Sequence, residues 1–164
     1  MAFKAFVKFG DITGEVTEKD HKDWVQVQSV TFDVTQPVSL GGRTTAGGAT
    51  ANAAEFSPVT IEKLIDKATP KLFEAIVKGT HIAEVTIDYT RASGDSAIKY
   101  LEIKLKDVLV SGVSHRAVTG SDFPLEVISM TYGAIEKTYT QQDSAGKSKG
   151  NVAVKWNVAQ SAAA

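Results

Sequence analysis

Residues 65–79 read Ile65-Asp66-Lys67-Ala68-Thr69-Pro70-Lys71-Leu72-Phe73-Glu74-Ala75-Ile76-Val77-Lys78-Gly79. This stretch carries signals for both the start and the end of one helix. Thr69 suits the N-cap, because its hydroxyl can accept a hydrogen bond from a free N–H of the first turn, and Pro70 suits the next position. Gly79 can adopt the left-handed conformation that ends a helix. We therefore predict a helix at 69–78 with one apolar stripe, formed by Leu72, Phe73, Ile76 and Val77.

Most of the remaining chain alternates apolar and polar residues with period two, which is typical of β-strands. The pattern predicts strands at 3–9, 24–36, 55–62, 84–91, 97–110 and 125–141. A last strand is predicted to carry Val152, Val154, Trp156 and Val158 on one face. Residues 112–124 are expected to form a loop. We predict a mainly β fold, either a small β-barrel or two packed antiparallel sheets, with one flanking α-helix at about 69–78.

The second predicted strand changes phase within itself. Val27 is apolar on an odd position and Val30 on an even one. A shift of one residue turns every following side chain to the other face, so a bulge or sharp bend is expected near Gln28-Ser29. After the bend, the apolar and polar faces of the strand are clearly separated.

The length of 164 residues is that of one domain. We expect a single domain at 1–159 with an extended loop at 38–54, followed by a flexible tail at 160–164. The loop consists mainly of small residues, and loops of this length are uncommon unless they are functional or disordered. Both interpretations stay open for the isolated subunit.

Composition argues against several kinds of partner. The net charge of −1 offers no basic field for nucleic acid or an anionic membrane. The chain has no cysteine, and no segment approaches the ~18 apolar residues of a membrane-spanning helix. Residues 1–9 alternate with lysines and are predicted to form a strand, not a signal peptide. We expect no nucleic-acid partner and no insertion into a membrane.

Motifs for chemistry are incomplete. Gly146-Lys147-Ser148 is similar to the end of a phosphate-binding loop, but position 141 is Gln and a strand is predicted to follow. His21, His81 and His115 show no ligand spacing and are expected at the surface or in turns. We therefore predict no catalytic, cofactor-binding or metal-binding residues and no enzymatic activity.

A series of motifs, in order along the chain, resembles the haemolysin-coregulated protein (Hcp) family of bacterial type VI secretion. They are Gly14-Glu15, Asp20-His21-Lys22-Asp23-Trp24, Gln36-Pro37, Asp66 to Ala75, Arg91-Ala92-Ser93-Gly94-Asp95, Asp107-Val108-Leu109-Val110-Ser111, Thr138-Tyr139-Thr140-Gln141-Gln142-Asp143 and Lys155-Trp156-Asn157. The chain departs from the family at Glu136-Lys137, where members often have Trp, and at His115-Arg116 in the loop. These departures affect partner specificity more than fold.

The resemblance implies a structural and exported component of the type VI secretion system. Family members form hexameric rings that stack into the inner tube, and some carry effectors in the ring lumen. It also implies a VgrG-like spike protein, a sheath and effector proteins as partners. The protein would be made in the bacterial cytoplasm and exported through the apparatus without a cleaved signal peptide. A monomeric β-barrel that binds a small ligand is the alternative, and an enzyme such as a hydrolase is a third.

Two groups of residues are candidates for function under this resemblance. The polar face of the bent strand suits a solvated lumen, and family strands of this region line the ring interior; an ordinary outer surface is the competing interpretation. The candidate lumen and effector-contact residues are Ser29, Thr31, Asp33 and Thr35. The candidate inter-subunit or inter-ring loop comprises Leu40, Gly41, Gly42, Arg43, Thr44 and Thr45.

Overall fold

The computed structural model describes residues 3–39, 50–93, 96–143 and 147–164. It confirms the mainly β fold with one flanking α-helix. The elements are β1 (Phe3–Phe9), β2 (Val25–Val27), β3 (Ser29–Thr31), β4 (Val34–Thr35), β5 (Val38–Ser39), β6 (Thr50–Ala51), β7 (Glu55–Phe56), β8 (Val59–Leu64), α1 (Thr69–Lys78), β9 (His81–Ser93), β10 (Ser96–Arg116), β11 (Leu125–Gln142), β12 (Ser148–Asn157) and β13 (Ala162–Ala163).

The large sheet is antiparallel and has two parts that share β10 and β11. Its main order is β13-β12-β11-β10-β9-β1-β2. One side of β11 pairs with β10 along both halves of the strand. On the other side of β11, each half has a different partner. β8 pairs with 125–130 and is itself paired with β3, whereas β12 pairs with 134–142. The strands β3, β8, β11 and β10 therefore form one layer, and β12, β11, β10, β9, β1 and β2 form the other.

The shared strands bend where they pass between the layers. Asp107 in β10 has a φ of 51°, and the register of β10 with β11 shifts between Val110 and Gly112. Gly133 of β11 lies against this bend, where an added Cβ would be 3.3 Å from the Cβ of Asp107. A side chain at position 133 would therefore press on the Asp107 side chain, which would have to shift slightly to make room.

One apolar cluster fills the space between the layers. Residues from both layers and from α1 belong to it, which shows that the layers face each other across a common core. The largest fully buried members are Phe9, Ile61, Leu72, Ile87, Ile103, Leu105, Ile128 and Met130. The space between the layers is therefore a packed apolar core.

The predicted helix is confirmed in its bounds but not in all its details. Gly79 ends α1 in the left-handed conformation, with a φ of 62°. Thr69, however, is the first helical residue and not the N-cap, which is Ala68. The predicted apolar stripe is wrong on one side. Leu72 is buried, but Phe73 and Val77 are 60% and 69% exposed.

Several other expectations are tested by the structure. The bend at Gln28-Ser29 is confirmed, because it separates β2 from β3. The expectation of a loop at 112–124 is wrong for its first part, since β10 continues to Arg116. At the end of the chain, β13 pairs with β12, so residues 162–163 have partners that the sequence did not indicate. Within the described ranges, no helix is long and apolar enough to cross a membrane.

Candidate functional site

The bent strand formed by β2 and β3 carries the first candidate residues. Val25 and Val27 are buried before the bend, and after it Val30 packs against the core. The neighbours of Val30 must then point away from the core, because side chains alternate across a strand. Thr31 is exposed and Ser29 is half-buried. The phase change in the sequence therefore turns short polar side chains toward the outside of the layer formed by β3, β8, β11 and β10.

Direct partners in neighbouring strands extend this surface across four strands. Thr31 pairs with Thr60, Thr60 with Ser129, and Ser129 with Gly112. Side chains that are directly opposite each other share one face of a sheet. The hydroxyl oxygens of Thr60 and Ser129 are 3.2 Å apart. Every residue in this row is small, and all except Gly112 bear a hydroxyl group.

A second row lies beside the first on the same face. Ser29 pairs with Glu62, Glu62 with Val127, and Val127 with Ser114. The Ser29 hydroxyl donates a hydrogen bond of 3.1 Å to the Glu62 carboxylate. We call these two rows the polar face; its residues are Ser29, Thr31, Thr60, Glu62, Gly112, Ser114, Val127 and Ser129.

The polar face includes only some of the residues that the sequence nominated. Ser29 and Thr31 belong to it. Asp33 follows β3; its backbone N–H donates to the Ser57 hydroxyl, and its carbonyl oxygen accepts from the backbone N–H of Ser57. Thr35 pairs with Glu55 in a separate two-stranded ladder. Thr60 and Ser129 were not predicted from the sequence, although small polar residues that alternate with apolar ones in β8 and β11 could have indicated them.

The candidate loop from Leu40 to Thr45 lies outside the described residues. Its surroundings are described on both sides. β5 pairs with β6, and β4 pairs with β7, so the chain enters and leaves this region as an antiparallel pair. β5 and β6 therefore lie inside the two ends of the predicted loop at 38–54, and β4 and β7 flank it.

The layer that carries the polar face has two open edges. Within the described ranges, β3 pairs with β8 alone. On the opposite side, the ladder between β9 and β10 ends at the pair His81 and Leu109, so residues 110–116 of β10 pair with β11 only. Open strand edges present unpaired N–H and C=O groups that can pair with another chain. This layer can thus be extended in both directions.

A buried ionic network holds α1 under this layer. The ammonium of Lys63, which is fully buried, lies 3.0 Å from a carboxylate oxygen of Glu126 and 2.8 Å from one of Asp66. The Thr69 hydroxyl donates to the same oxygen of Glu126 and accepts from the backbone N–H of Asp66. The network connects β8, β11 and the first turn of α1, and its members all have partners, as a structural role requires.

His21 is buried, which corrects the expectation of a surface position. Its imidazole stacks on Phe6 and contacts the edge of Trp24. The Nε2 atom lies 2.9 Å from a carboxylate oxygen of Asp88, and Nδ1 is hydrogen-bonded to Glu18. These contacts attach the polar segment 11–23 to the sheet and give His21 a structural role.

Among the residues that the structure describes, the main recesses lie on the surface of the molecule. One recess of about 810 Å³ lies on the outer side of the sheet between Lys8, Trp24, Asp88 and Lys104, and is open to solvent. The core between the layers is filled, so these recesses do not provide the internal cavity that a ligand-binding barrel needs. Among the described residues, no group of three or more His, Asp or Glu side chains could hold a metal ion.

Comparisons with known proteins agree with this architecture. Residues 6–139 match a family model described as "Type VI secretion system effector, Hcp". The chain is 32% identical over 161 residues to "Protein hcp1" of Pseudomonas aeruginosa, covering 98% of each, and 26% identical over 143 residues to "Major exported protein" of the same organism, covering 83% of this chain and 80% of that one. A solved structure described as "Structure of a type six secretion system protein" superposes with a TM-score of 0.90 at 26% identity, covering 98% of this chain and 99% of the other.

Proposed function

The chain belongs to the Hcp family of type VI secretion proteins, and from this membership we propose that it is a ring-forming subunit of the inner tube of a type VI secretion system. In this role the protein is a structural and exported component and not an enzyme. Six copies form a ring, and rings stack into the tube.

The observation that carries this proposal is the pair of open edges on the layer with the polar face. β3 is open on one side, and residues 110–116 of β10 are open on the other. When β3 of one copy pairs with β10 of the next, every copy uses two different edges. Such a head-to-tail contact closes into a ring if the rotation between copies fits, and closure leaves neither of these two edges unpaired.

The polar face would line the lumen of this ring. It consists mainly of hydroxyl-bearing and small residues, and Glu62 is its one ionisable member. A surface of this kind stays hydrated and offers many weak hydrogen-bonding sites to a passing protein. Thr31 lies at the exposed end of its row, next to the open edge, so we infer that it contacts effectors in the lumen.

The family also supplies the partners and the route of export. A VgrG-like spike protein at the tip, a surrounding sheath and effectors in the lumen are the partners that we propose. The name of the relative "Major exported protein" supports export of such a protein. We propose that the chain is made in the cytoplasm and leaves through the apparatus without a cleaved signal peptide.

Light scattering at micromolar concentration tests the ring. The expected mass is several times that of one chain, and six times if the ring is complete. A stable monomer over a wide range of concentrations would contradict the proposal and favour the alternative of a monomeric ligand-binding barrel.

Replacing Thr31 with Gln tests the lumen assignment. The longer side chain should reduce co-purification of an effector while the mass of the ring stays unchanged. Thr35→Gln is the matched control, because Thr35 is also exposed but belongs to the separate ladder with Glu55. Equal effects of the two substitutions would show that the polar face is not the surface that effectors contact.

A further inference from the structure

The outer side of α1 is unusually apolar for a surface helix of a subunit. Phe73 and Val77 are 60% and 69% exposed and lie four residues apart, so they are neighbours on the helix surface. Two cations flank them, since the ammonium groups of Lys71 and Lys78 both contact the single carboxylate of Glu74. We call this surface the α1 patch; it is apolar at the centre and carries an excess of positive charge.

A second apolar surface lies on β11 and β12. Tyr139, Val152 and Val154 are 51%, 72% and 61% exposed. Tyr139 pairs with Val152, and further along the same ladder Ile135, which packs against the core, pairs with Trp156. These side chains therefore point to the core side of their layer, beyond the end of the opposite layer. We call Tyr139, Val152 and Val154 the β12 patch.

The β12 patch lies on the side of the subunit that ends in β3. β12 and β8 occupy the same side of β11, and β3 follows β8. The ammonium of Lys137, the partner of Val154, lies 5.1 Å from the centre of the Phe32 ring, directly after β3. The patch is therefore adjacent to the β3 edge.

The α1 patch lies on the opposite side, next to the open part of β10. α1 packs against β10, and the chain passes from its end into β9 at His81. His81 pairs with Leu109, the last residue of β10 that has β9 as a partner. The α1 patch and the β12 patch thus accompany the two edges that meet in the proposed ring.

Opposite charges lie near the two patches, and Lys137, the cationic strand partner of Val154, has its ammonium over the Phe32 ring. Asp33 and Glu55 are exposed beside the β3 edge and form no salt bridge within the part of the chain that the structure describes. Lys71 and Lys78 lie beside the α1 patch. An interface that pairs an apolar centre with opposite charges at its rim has the usual anatomy of a specific contact.

We propose that the α1 patch of one subunit packs on the β12 patch of its neighbour in the ring, with a second copy of this chain as the occupant of each patch. The proposal rests on the proposed ring and adds a second contact outside the edge pairing of β3 and β10. It also explains why half of the apolar stripe of α1 is left uncovered in one subunit.

Cysteine cross-linking tests this contact cleanly, because the chain has no native cysteine. Phe73→Cys and Val154→Cys are combined in one chain and treated with a short bis-maleimide. The expected product is a ladder of covalent oligomers up to the whole ring, whereas a mixture of the two single variants should stop at dimers. Phe73→Cys with Ala153→Cys is the matched control, since Ala153 is exposed on the other face of the same strand.

The outcomes separate this inference from the proposed function. A ring of the expected mass in which the Phe73 and Val154 pair cross-links no better than the control would overturn the contact and leave the ring intact. Cross-linking of the Phe73→Cys single variant with itself would also overturn it, because it would show a symmetric contact. A monomeric mass for every variant and for the unmodified chain would refute the ring itself.

Discussion

Replacing Lys63 with Met should cost more stability than any surface substitution in this protein. The Lys63 ammonium lies within 3.2 Å of four oxygens, belonging to Leu64, Asp66, Thr69 and Glu126. Lys63 is fully buried and Glu126 is 1% exposed. Methionine has a similar length but no charge, so the substitution leaves the Glu126 carboxylate buried with the Thr69 hydroxyl as its remaining partner.

The expected loss follows from that uncompensated charge. Removing one partner of a buried ion pair typically costs about 3–5 kcal/mol. Domains of this kind have unfolding free energies of about 5–15 kcal/mol, so the variant would lose a large share of its stability. Urea unfolding, followed by circular dichroism at one fixed subunit concentration, measures the effect, because ring formation would make the apparent stability depend on concentration.

The double variant Lys63→Met with Glu126→Leu provides the control. It removes the charges of Lys63 and Glu126 together and leaves Asp66, whose side chain is 13% exposed and still accepts a hydrogen bond from the backbone N–H of Ala68. The double variant should therefore recover most of the lost stability, since a buried ion pair replaced by apolar residues of similar volume is often neutral or stabilising. A loss below about 1 kcal/mol for Lys63→Met, or no recovery in the double variant, would refute the view that uncompensated charge dominates at this site.

Three further predictions concern other parts of the molecule. Gly14→Ala should lower the free energy of unfolding by about 1–3 kcal/mol in urea titrations, because the added Cβ would lie 2.3 Å from the carbonyl oxygen of Trp24; an unchanged value would contradict the close approach. Hydrogen bonds from Lys78 and Lys71 lower the pKa of Glu74 to about 2. The contribution of Glu74 to stability should therefore be present above the ordinary pKa of a glutamate and be lost as the pH falls toward 2. An NMR titration that gives the Glu74 carboxyl an ordinary pKa would disprove this. Replacing residues 40–52 with a short Gly-Ser linker should preserve the circular dichroism spectrum and the ring but impair tube formation and secretion, whereas unfolding would show that the loop belongs to the core.

Local signals in the sequence were sufficient for part of the fold. The bounds of α1 follow from Pro70 and Gly79, which act within one turn of the chain. The bend between β2 and β3 follows from the change of phase between Val27 and Val30. Both features depend on neighbours in sequence, so no knowledge of distant partners is needed to predict them.

Distant partners explain where the sequence analysis was wrong. Thr69 has the chemistry of an N-cap, but its hydroxyl donates to Glu126, which is 57 residues away. His21 is buried against Asp88, which is 67 residues away and whose carboxylate oxygen accepts a hydrogen bond from the imidazole. Small residues such as Gly112 are typical of a loop, yet they form strand β10 because Ser129 pairs with them in the polar face. Such partners become visible only when the strands are assembled.

The two shared strands have a mechanical consequence. β10 and β11 run for 21 and 18 residues from one layer into the other. The covalent backbone of both strands would therefore resist any sliding of one layer past the other. The hydrogen bonds of the long ladders would also have to break together and not one after another. In the proposed tube, the layer that carries the polar face and the other layer of each subunit would therefore bear a compressive thrust as one stiff element.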